Sequence, residues 1–226
     1  MARILIACEE SQATTKAFRE LGHEAFSCDL LPCSGGHPEW HFQQDVFEVI
    51  DEGWDLMVAH PPCTFLAGSG AAWLSHPEDT SLPFDERRPH PKYPNRRVDM
   101  LDSIEFVKKL YNSNIPCVAI ENPVGLLSSR WRKPDQIVQP YMFGDEATKT
   151  TCLWLKNLPL LLPTKIVGKG ERFEWVDGKT GKIKSQPLWY YQALQNAKTK
   201  QERQTLRSKT FPGMAKAFAE QWSSIL

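Results

Sequence analysis

The amino-terminal stretch of the chain reads ARILIACEESQATTKAFRELGHEAFSCD over residues 2–29. Residues 3–8 form a short continuous apolar run, which is typical of a strand buried on both faces of a parallel sheet. Ser11 can cap a helix over residues 12–21 that stops at Gly22, and a second strand follows over 23–29. The stretch therefore predicts a β–α–β unit at the start of the fold.

The rest of the chain continues this alternation of strands and helices. The predicted elements are helical turns over 45–51, strands over 54–59, 116–120 and 150–155, a helix over 97–112, a hairpin over 171–183 that turns at Asp177-Gly178, and a final helix over 209–222. The proline-rich residues 75–97 are predicted to form a long loop near the site. This order predicts an open α/β sheet, mostly parallel, with helices on both faces.

Composition narrows the class of protein. The 226 residues are 41% hydrophobic, enough for a sizeable core in one or two domains. The formal net charge of zero argues against a protein that binds long stretches of DNA through many phosphate contacts. The sequence has no apolar run long enough for a membrane span and no signal-peptide layout at its start. Six scattered cysteines predict reduced thiols in a cytoplasmic protein.

Reactive or polar side chains follow four of the predicted strands, namely Cys8 and Glu9, Asp29, Cys63, and Glu121 with Asn122. In an open α/β sheet the ligand lies beyond the carboxyl ends of the strands. We therefore expect these side chains to converge on one crevice.

Cys63 is the strongest candidate for chemistry. Pro61 and Pro62 restrict the backbone before it, so the thiol is held rigidly beyond a strand end. An ionised thiol is a strong nucleophile, although a free cysteine is usually a small buried hydrophobe. Glu121-Asn122-Pro123 adds weight to the functional interpretation, because a carboxylate and an amide directly after a buried strand are a costly arrangement for structure alone.

These two segments resemble the motifs of one enzyme family. Pro62-Cys63 is similar to the proline–cysteine motif of the DNA cytosine carbon-5 methyltransferases, and Glu121-Asn122-Pro123 to their Glu-Asn-Val motif, in the same order and spacing. The segments HPPC, AIENP and KTTCLWLKNLP resemble a short phage-type branch of that family. The resemblance implies a Rossmann-like S-adenosylmethionine-dependent methyltransferase fold and a DNA substrate with a flipped cytosine.

The resemblance also implies residue roles in base chemistry. Cys63 is the nucleophile that adds to cytosine carbon-6, and Glu121 contacts ring nitrogen-3 and the exocyclic amine. Asn122 holds local loop geometry. Lys149 stands where the family's Gln-x-Arg-x-Arg motif has its first arginine, although a solvated lysine at a strand start is an equal alternative. No residue is assigned as the base that removes the carbon-5 proton.

For the donor, S-adenosylmethionine, the resemblance implies binding residues in several segments, namely Ala7, Cys8 and Glu9 after the first strand, Asp29 for the ribose, Asp45 for the adenine amine, Pro61, and Gly213 in the segment 211–214. The sequence departs from the family here, because no glycine-rich turn follows the first strand. Amides at the following helix N-terminus are expected to meet the donor's carboxylate instead. Either aspartate can also be a helix cap or turn residue.

The predicted organisation is a catalytic core over 1–155, a small recognition-like insertion over 156–207 and a carboxyl-terminal helix over 208–226 that returns to the core. The insertion carries lysines and arginine among Trp175, Trp189, Tyr190 and Tyr191. Such a surface can hold phosphates and stack bases, or it can be an ordinary solvated hairpin. We expect weak or short sequence specificity, or a partner protein that supplies target recognition.

Three rival interpretations remain open. A zinc site can be built from Cys28, Cys33, His37 and His41, although their spacing is not that of a zinc finger, and we predict no metal. An exocyclic-amino DNA methyltransferase is a second rival, but the sequence lacks both ends of its motif and Glu-Asn-Pro goes unexplained. A catalytically inactive nucleic-acid-binding relative of the fold is the third, supported by the missing glycine turn.

Overall fold

The computed structural model describes the chain from residue 1 to residue 226, apart from the side chains of Lys200, Gln201 and Gln204. One sheet has seven strands: β1 (Arg3–Ala7), β2 (Glu24–Asp29), β3 (His41–Gln43), β4 (Leu56–Ala59), β5 (Cys117–Pro123), β6 (Gln136–Val138) and β7 (Thr151–Lys156). A separate hairpin is formed by β8 (Arg172–Val176) and β9 (Ile183–Pro187). The hairpin is confirmed, with its second strand extending beyond the predicted range.

The strand order in the large sheet is β3-β2-β1-β4-β5-β7-β6. The first five strands pair in parallel, and β7 is inserted antiparallel between β5 and β6. The order reverses direction between β1 and β4, which are neighbours in the middle of the sheet. Because ligands bind beyond the carboxyl ends of strands at such a switch point, the topology directs attention to the ends of β1, β2, β4 and β5.

The six helices are α1 (Ala13–Glu20), α2 (Arg96–Tyr111), α3 (Leu127–Arg130), α4 (Leu188–Asn196), α5 (Lys200–Ser208) and α6 (Pro212–Trp222). On one face of the sheet, α1 and α6 bury Phe18 and Phe218 against Ile4 and Ile6 of β1. On the other face, α2 buries Ile104 and neighbouring apolar residues against the sheet. The predicted Rossmann-like α/β fold, a mostly parallel sheet with helices on both faces, is confirmed.

The start of α1 differs from the prediction. Ser11 is not the cap of this helix, since its hydroxyl reaches only the amide of Ala13 at 3.5 Å. The carboxylate of Glu9 instead accepts from the amides of Thr14 and Thr15 at 2.7 and 3.2 Å, and from the Thr15 hydroxyl at 2.7 Å. A buried carboxylate on three donors satisfies the helix N-terminus better than a serine hydroxyl can.

Several short elements escaped prediction because a few residues carry too little periodicity. These are β3, β6, α3, α4 and α5. The proline-rich segment 75–97 contains short 3-10 turns, and Arg97 fastens it to α2 by donating to the carbonyl of Leu74 and the carbonyl of Phe84, each at 3.0 Å. None of the described helices has the length and apolar character needed to cross a membrane.

Candidate active site

The segment His60-Pro61-Pro62-Cys63 continues directly from the end of β4. The amide of His60 still donates to the carbonyl of Ala7 in β1 at 2.9 Å, so the sheet ladder holds the chain up to the first proline. The carbonyl of Cys63 then accepts from the amides of Leu66 and Ala67 at 3.0 and 2.9 Å. The exposed thiol therefore stands between two prolines and a closed turn at the carboxyl edge of the sheet.

The Cys63 loop is fastened to the end of β5. The side-chain amide of Asn122 donates to the carbonyl of Pro61 at 2.8 Å. The amide of Leu126 donates to the carbonyl of Leu66 at 2.7 Å. At Gly125 the two loops approach so closely that a Cβ atom would lie 2.0 Å from the Leu66 carbonyl oxygen. The loops that carry Cys63 and Glu121 thus form one connected unit.

Glu121 is a buried carboxylate in β5, with 8% of the residue exposed. His60 Nδ1 lies 3.1 Å from its Oε2 atom. Burial raises the pKa of Glu121, but the positive charge of Lys149, the hydrogen bond from His60 and a contact with the Thr151 hydroxyl together hold it below the ordinary value. Glu121 is therefore an anion at neutral pH, although it is screened from solvent.

The charge of the Glu121 carboxylate affects the pKa of the Cys63 thiol. Its pKa is raised, first by the surrounding protein that limits its solvation and then by the negative charge of Glu121. Lys149 and Arg207 act in the opposite direction. Cys63 is therefore a neutral thiol at neutral pH in the free protein.

Two cations flank Cys63. Lys149 Nζ donates to the carbonyls of Ser208 and Lys209, each at 3.3 Å, which joins the start of β7 to the end of α5. The guanidinium of Arg207 lies 4.8 Å from the ring centre of Tyr190. Arg207 escaped the sequence analysis because it lies far along the chain, outside every motif that the sequence offers. The hydrogen bonds of Lys149 to the carbonyls of Ser208 and Lys209 hold the end of α5, and with it Arg207, near the thiol.

A cavity of about 420 Å³ opens beside the Cys63 loop at the ends of β1 and β2. Its lining residues are Cys8, Cys28, Asp29, Leu30, Gln44, Asp45, Val46, Pro62, Phe65, Asp99, Asp102, Ser103 and Phe106. Of the expected donor residues, Cys8, Asp29 and Asp45 are brought together here. Asp99, Asp102 and Phe106 of α2 were not foreseen, because nothing in an amphipathic helix marks which polar face borders a cavity.

The two expected aspartates have local roles as well. Asp29 Oδ1 accepts from the amide of Leu31 at 2.9 Å, and burial raises the pKa of this carboxyl. Asp45 Oδ1 accepts from the amide of Phe47 at 2.9 Å and caps a short 3-10 turn. Each carboxylate therefore shapes its loop and borders the cavity. Asp29 and Asp45 can therefore fix their turns and line the cavity at the same time.

The turn after β1 achieves its shape without glycine. Cys8 and Gln12 have φ values of 58° and 57°, in the left-handed region that usually favours glycine. The buried side chain of Gln12 fixes this shape, because Nε2 donates to the carbonyl of His37 at 2.7 Å and Oε1 accepts from the His37 amide at 3.1 Å. Gly35 permits the close approach, since a Cβ there would lie 2.5 Å from Gln12.

Four of the expected donor residues do not line the cavity. Glu9 itself occupies the N-terminus of α1, so the amides of Thr14 and Thr15 already have an acceptor within the protein. Ala7 is buried inside β1, and Pro62, not Pro61, borders the cavity. Gly213 starts α6, where its amide donates to Asp145 Oδ2 at 2.9 Å.

The residues of the alternative zinc site have other partners. His41 lies 2.8 Å from the Ser27 hydroxyl, and His37 stacks on Trp40 with ring centres 3.7 Å apart. Cys28 donates to the carbonyl of Gln44 at 3.4 Å. Within the described part of the chain, no group of three or more histidine, cysteine, aspartate or glutamate residues is arranged to hold a metal ion.

The chain resembles known proteins in three-dimensional structure. No protein-family model and no curated protein matches the sequence. Among solved structures, the S. pombe Dnmt2 methyltransferase is 13% identical with a TM-score of 0.41, covering 71% of this chain and 50% of its own. A prophage-encoded E. coli protein described as a DNA modification methyltransferase is 12% identical with a TM-score of 0.44, covering 86% and 64%. A Spodoptera frugiperda DNMT2 variant is 15% identical with a TM-score of 0.41, covering 75% and 55%.

The chain thus spans between half and two thirds of the length of these structures. Identities and TM-scores this low are compatible with many different reactions. The residues of the site itself must carry any proposal about function.

Proposed function

We propose that the protein is a DNA cytosine carbon-5 methyltransferase in which Cys63 is the covalent nucleophile. The observation that carries the proposal is the combination of Cys63 with Glu121, a buried carboxylate at the neighbouring strand end whose loop is joined to the Cys63 loop by the Asn122–Pro61 hydrogen bond. An inert structural cysteine has no need of a buried anion that disfavours its ionisation. A nucleophile paired with a group that binds the polar edge of its substrate does need one.

The chemistry follows from the groups at the strand ends. The Cys63 thiol gives up its proton and the thiolate adds to cytosine carbon-6, so the electron pair of the carbon-5–carbon-6 double bond becomes available at carbon-5 and ring nitrogen-3 takes up a proton. Once carbon-5 carries the methyl group, its proton leaves to a base, the double bond re-forms, the thiolate is expelled and nitrogen-3 returns its proton. Glu121 binds the ring nitrogen-3 and exocyclic amine edge, where a proton and positive character are stabilised by its negative charge. Lys149 and Arg207 stabilise the thiolate and attract the negatively charged strand.

The cavity beside the Cys63 loop suits S-adenosylmethionine. Four aspartates line it, and none of the lining residues is a lysine or an arginine. Such a wall favours a ligand with positive charge and hydroxyls over one with phosphates. Asp29 and Asp45 would hold the ribose and adenine, with Phe65 and Phe106 as apolar walls. When bound, the donor supplies an electrophilic methyl group for carbon-5.

The insertion supplies a surface for the nucleic acid. Phe173 of β8 stacks on Tyr191 of α4 with ring centres 3.7 Å apart, and Trp175 on the same strand is 38% exposed. Lys184 pairs across the hairpin with Trp175. Exposed aromatic rings beside lysines can stack bases and hold phosphates, so we assign target contacts to this hairpin.

Mass spectrometry of nucleosides tests the proposal. DNA incubated with wild-type protein and S-adenosylmethionine should gain 5-methylcytosine, and the Cys63→Ala protein should give none. The appearance of N4-methylcytosine would instead support the exocyclic-amino rival. Failure to bind the donor in calorimetry would support an inactive relative of the fold. Either result would overturn the proposal.

A further inference from the structure

His60 lies between two polar groups that belong to different parts of the site. Its side chain is 11% exposed, and that of Glu121 is 9% exposed. Nδ1 of its ring faces Glu121 Oε2 at 3.1 Å, and Nε2 lies 3.4 Å from the hydroxyl of Thr14. The mechanism above gives no role to this buried ring, although it comes three residues before the nucleophile.

The tautomer of His60 follows from its partners. An ionised carboxylate can only accept hydrogen bonds, so Nδ1 must carry a proton and donate to Glu121. In the neutral ring, Nε2 then accepts a hydrogen bond from the Thr14 hydroxyl. The Thr14 amide is itself held by Glu9 Oε1 at 2.7 Å. A chain of polar contacts thus runs from Glu121 through His60 and Thr14 to Glu9.

We propose that His60 is a positioning residue that fixes Glu121 for substrate binding through its Nδ1–H donor. This inference rests on the proposed function and deepens it. With Oε2 held by His60, the second carboxylate oxygen remains for the polar edge of the base. The His60 backbone is hydrogen-bonded to β1 and is followed by a proline, so it has little freedom to move. The His60 ring therefore holds the Glu121 carboxylate in one position.

The other groups that face Glu121 act in known directions. Lys149 and the Thr151 hydroxyl favour its ionised form, as His60 does, whereas burial opposes it. Cys63 and Cys152 are near enough for the charge of Glu121 to raise the pKa of both thiols. Loss of the His60 hydrogen bond therefore removes one of three favourable contacts and raises the pKa of Glu121.

Two isosteric variants separate the roles of the ring nitrogens. In His60→Asn the side-chain amide nitrogen can occupy the place of Nδ1 and donate to Glu121, but nothing reaches Thr14. In His60→Gln the amide lies near the place of Nε2, so the contact with Thr14 survives and the donor to Glu121 is lost. If Nδ1 is the important atom, asparagine rescues function and glutamine does not.

The first measurement needs no catalysis. Carboxyl carbon signals of ¹³C-labelled glutamate are followed against pH, and Glu121→Gln assigns the signal of Glu121. We expect Glu121 to titrate at a higher pH in His60→Gln than in wild type, with His60→Asn closer to wild type. Titration at the same pH in all three proteins would overturn the positioning role. Because this titration does not involve methyl transfer, its result does not depend on whether the proposed function is correct.

The second measurement is the pH profile of methyl transfer to DNA. Between pH 8 and pH 5 we expect the rate of His60→Gln to fall about two- to threefold more than that of wild type, because more Glu121 is protonated, while His60→Asn keeps the wild-type profile. His76→Gln, at the residue that precedes and caps the 3-10 turn over 77–79 outside the site, serves as a control. Equal losses at every pH in both His60 variants, with unchanged thermal unfolding, would contradict the proposal.

Discussion

The side-chain amide of Asn122 donates a hydrogen bond of 2.8 Å to the carbonyl oxygen of Pro61. This contact joins the loop that carries Cys63 to the strand end that carries Glu121. The Asn122 oxygen is buried, and the described residues offer it no hydrogen-bond partner. The amide nitrogen is therefore the part of the Asn122 side chain that makes a hydrogen bond. A substitution that keeps the size of the side chain but removes this donor tests what the hydrogen bond contributes.

Asn122→Asp should place a carboxylate oxygen against the Pro61 carbonyl and repel the Cys63 loop. We expect the free energy of unfolding to fall by about 2 kcal/mol, because a buried hydrogen bond is replaced by two opposed acceptors. Chemical denaturation measures this loss, and Asn112→Asp at the exposed end of α2 is the control. Equal stability of the Asn122→Asp protein and wild type would mean that the contact does not fasten the loop.

Glu121→Gln should have opposite effects on thiol reactivity and on methyl transfer. The charge of Glu121 raises the pKa of Cys63, so its removal lowers that pKa and increases the thiolate fraction at neutral pH. We expect alkylation of Cys63 by iodoacetamide to become about three- to tenfold faster at pH 7, whereas methyl transfer is lost. The site of alkylation is assigned by peptide mass spectrometry.

Lys149→Met provides the matched opposite to Glu121→Gln. Lys149 lowers the pKa of Cys63, so its loss should slow alkylation at pH 7 and shift the midpoint of the rate to higher pH. If Lys149→Met and Glu121→Gln shift the pH midpoint of Cys63 alkylation in the same direction, the charges at these two positions do not control the pKa of the thiol.

Gly125→Ala should disturb the contact between the Cys63 loop and the end of β5. A Cβ atom at this position would lie 2.0 Å from the Leu66 carbonyl oxygen, and backbone must move to admit it. We expect a loss of about 1–3 kcal/mol in unfolding free energy and a marked loss of activity. Gly178→Ala in the hairpin turn meets nothing within 4 Å and should change stability by less than about 0.5 kcal/mol. Indistinguishable stabilities of the two variants would refute the close contact.

Asp29→Asn should weaken donor binding. The carboxylate borders the cavity at the end of β2, and its replacement by a neutral amide removes a charged acceptor for ribose hydroxyls. We expect about tenfold weaker binding of S-adenosylmethionine in calorimetry. Asp51→Asn, an exposed position outside the cavity lining, should bind like wild type. Unchanged binding by the Asp29 variant would place the donor elsewhere.

The fold could be predicted from the sequence because buried parallel strands leave an unmistakable apolar pattern. Residues 3–7 and 56–59 are strands of this kind, and every described residue in β4 is buried. Capping was harder to predict. Glu9 and Ser11 are both plausible partners for a helix N-terminus, and the left-handed backbone at Cys8 and Gln12 decides which one reaches the amides.

The site could be predicted only in part, because motifs identify residues but not their neighbours. Cys63 and Glu121 were predicted as site residues from short segments with strict chemical requirements, and the structure joins their two loops. His60 was visible in the same segment, yet its contact with Thr14 spans 46 positions in sequence. Arg207 and the α2 aspartates reach the site through packing of helices whose sequences carry no catalytic signature.

The covalent trap is the most direct measurement of the central claim. DNA that contains 5-fluorocytosine is incubated with the protein and S-adenosylmethionine, and the mixture is resolved by denaturing electrophoresis. Fluorine at carbon-5 cannot leave as a proton does, so an enzyme that adds through Cys63 should remain bound to the DNA, with the linkage mapped to that residue. Wild type should give this adduct and Cys63→Ala should give none. An adduct formed equally by Cys63→Ala, or no adduct from a wild-type protein that binds both DNA and donor, would contradict nucleophilic catalysis by Cys63.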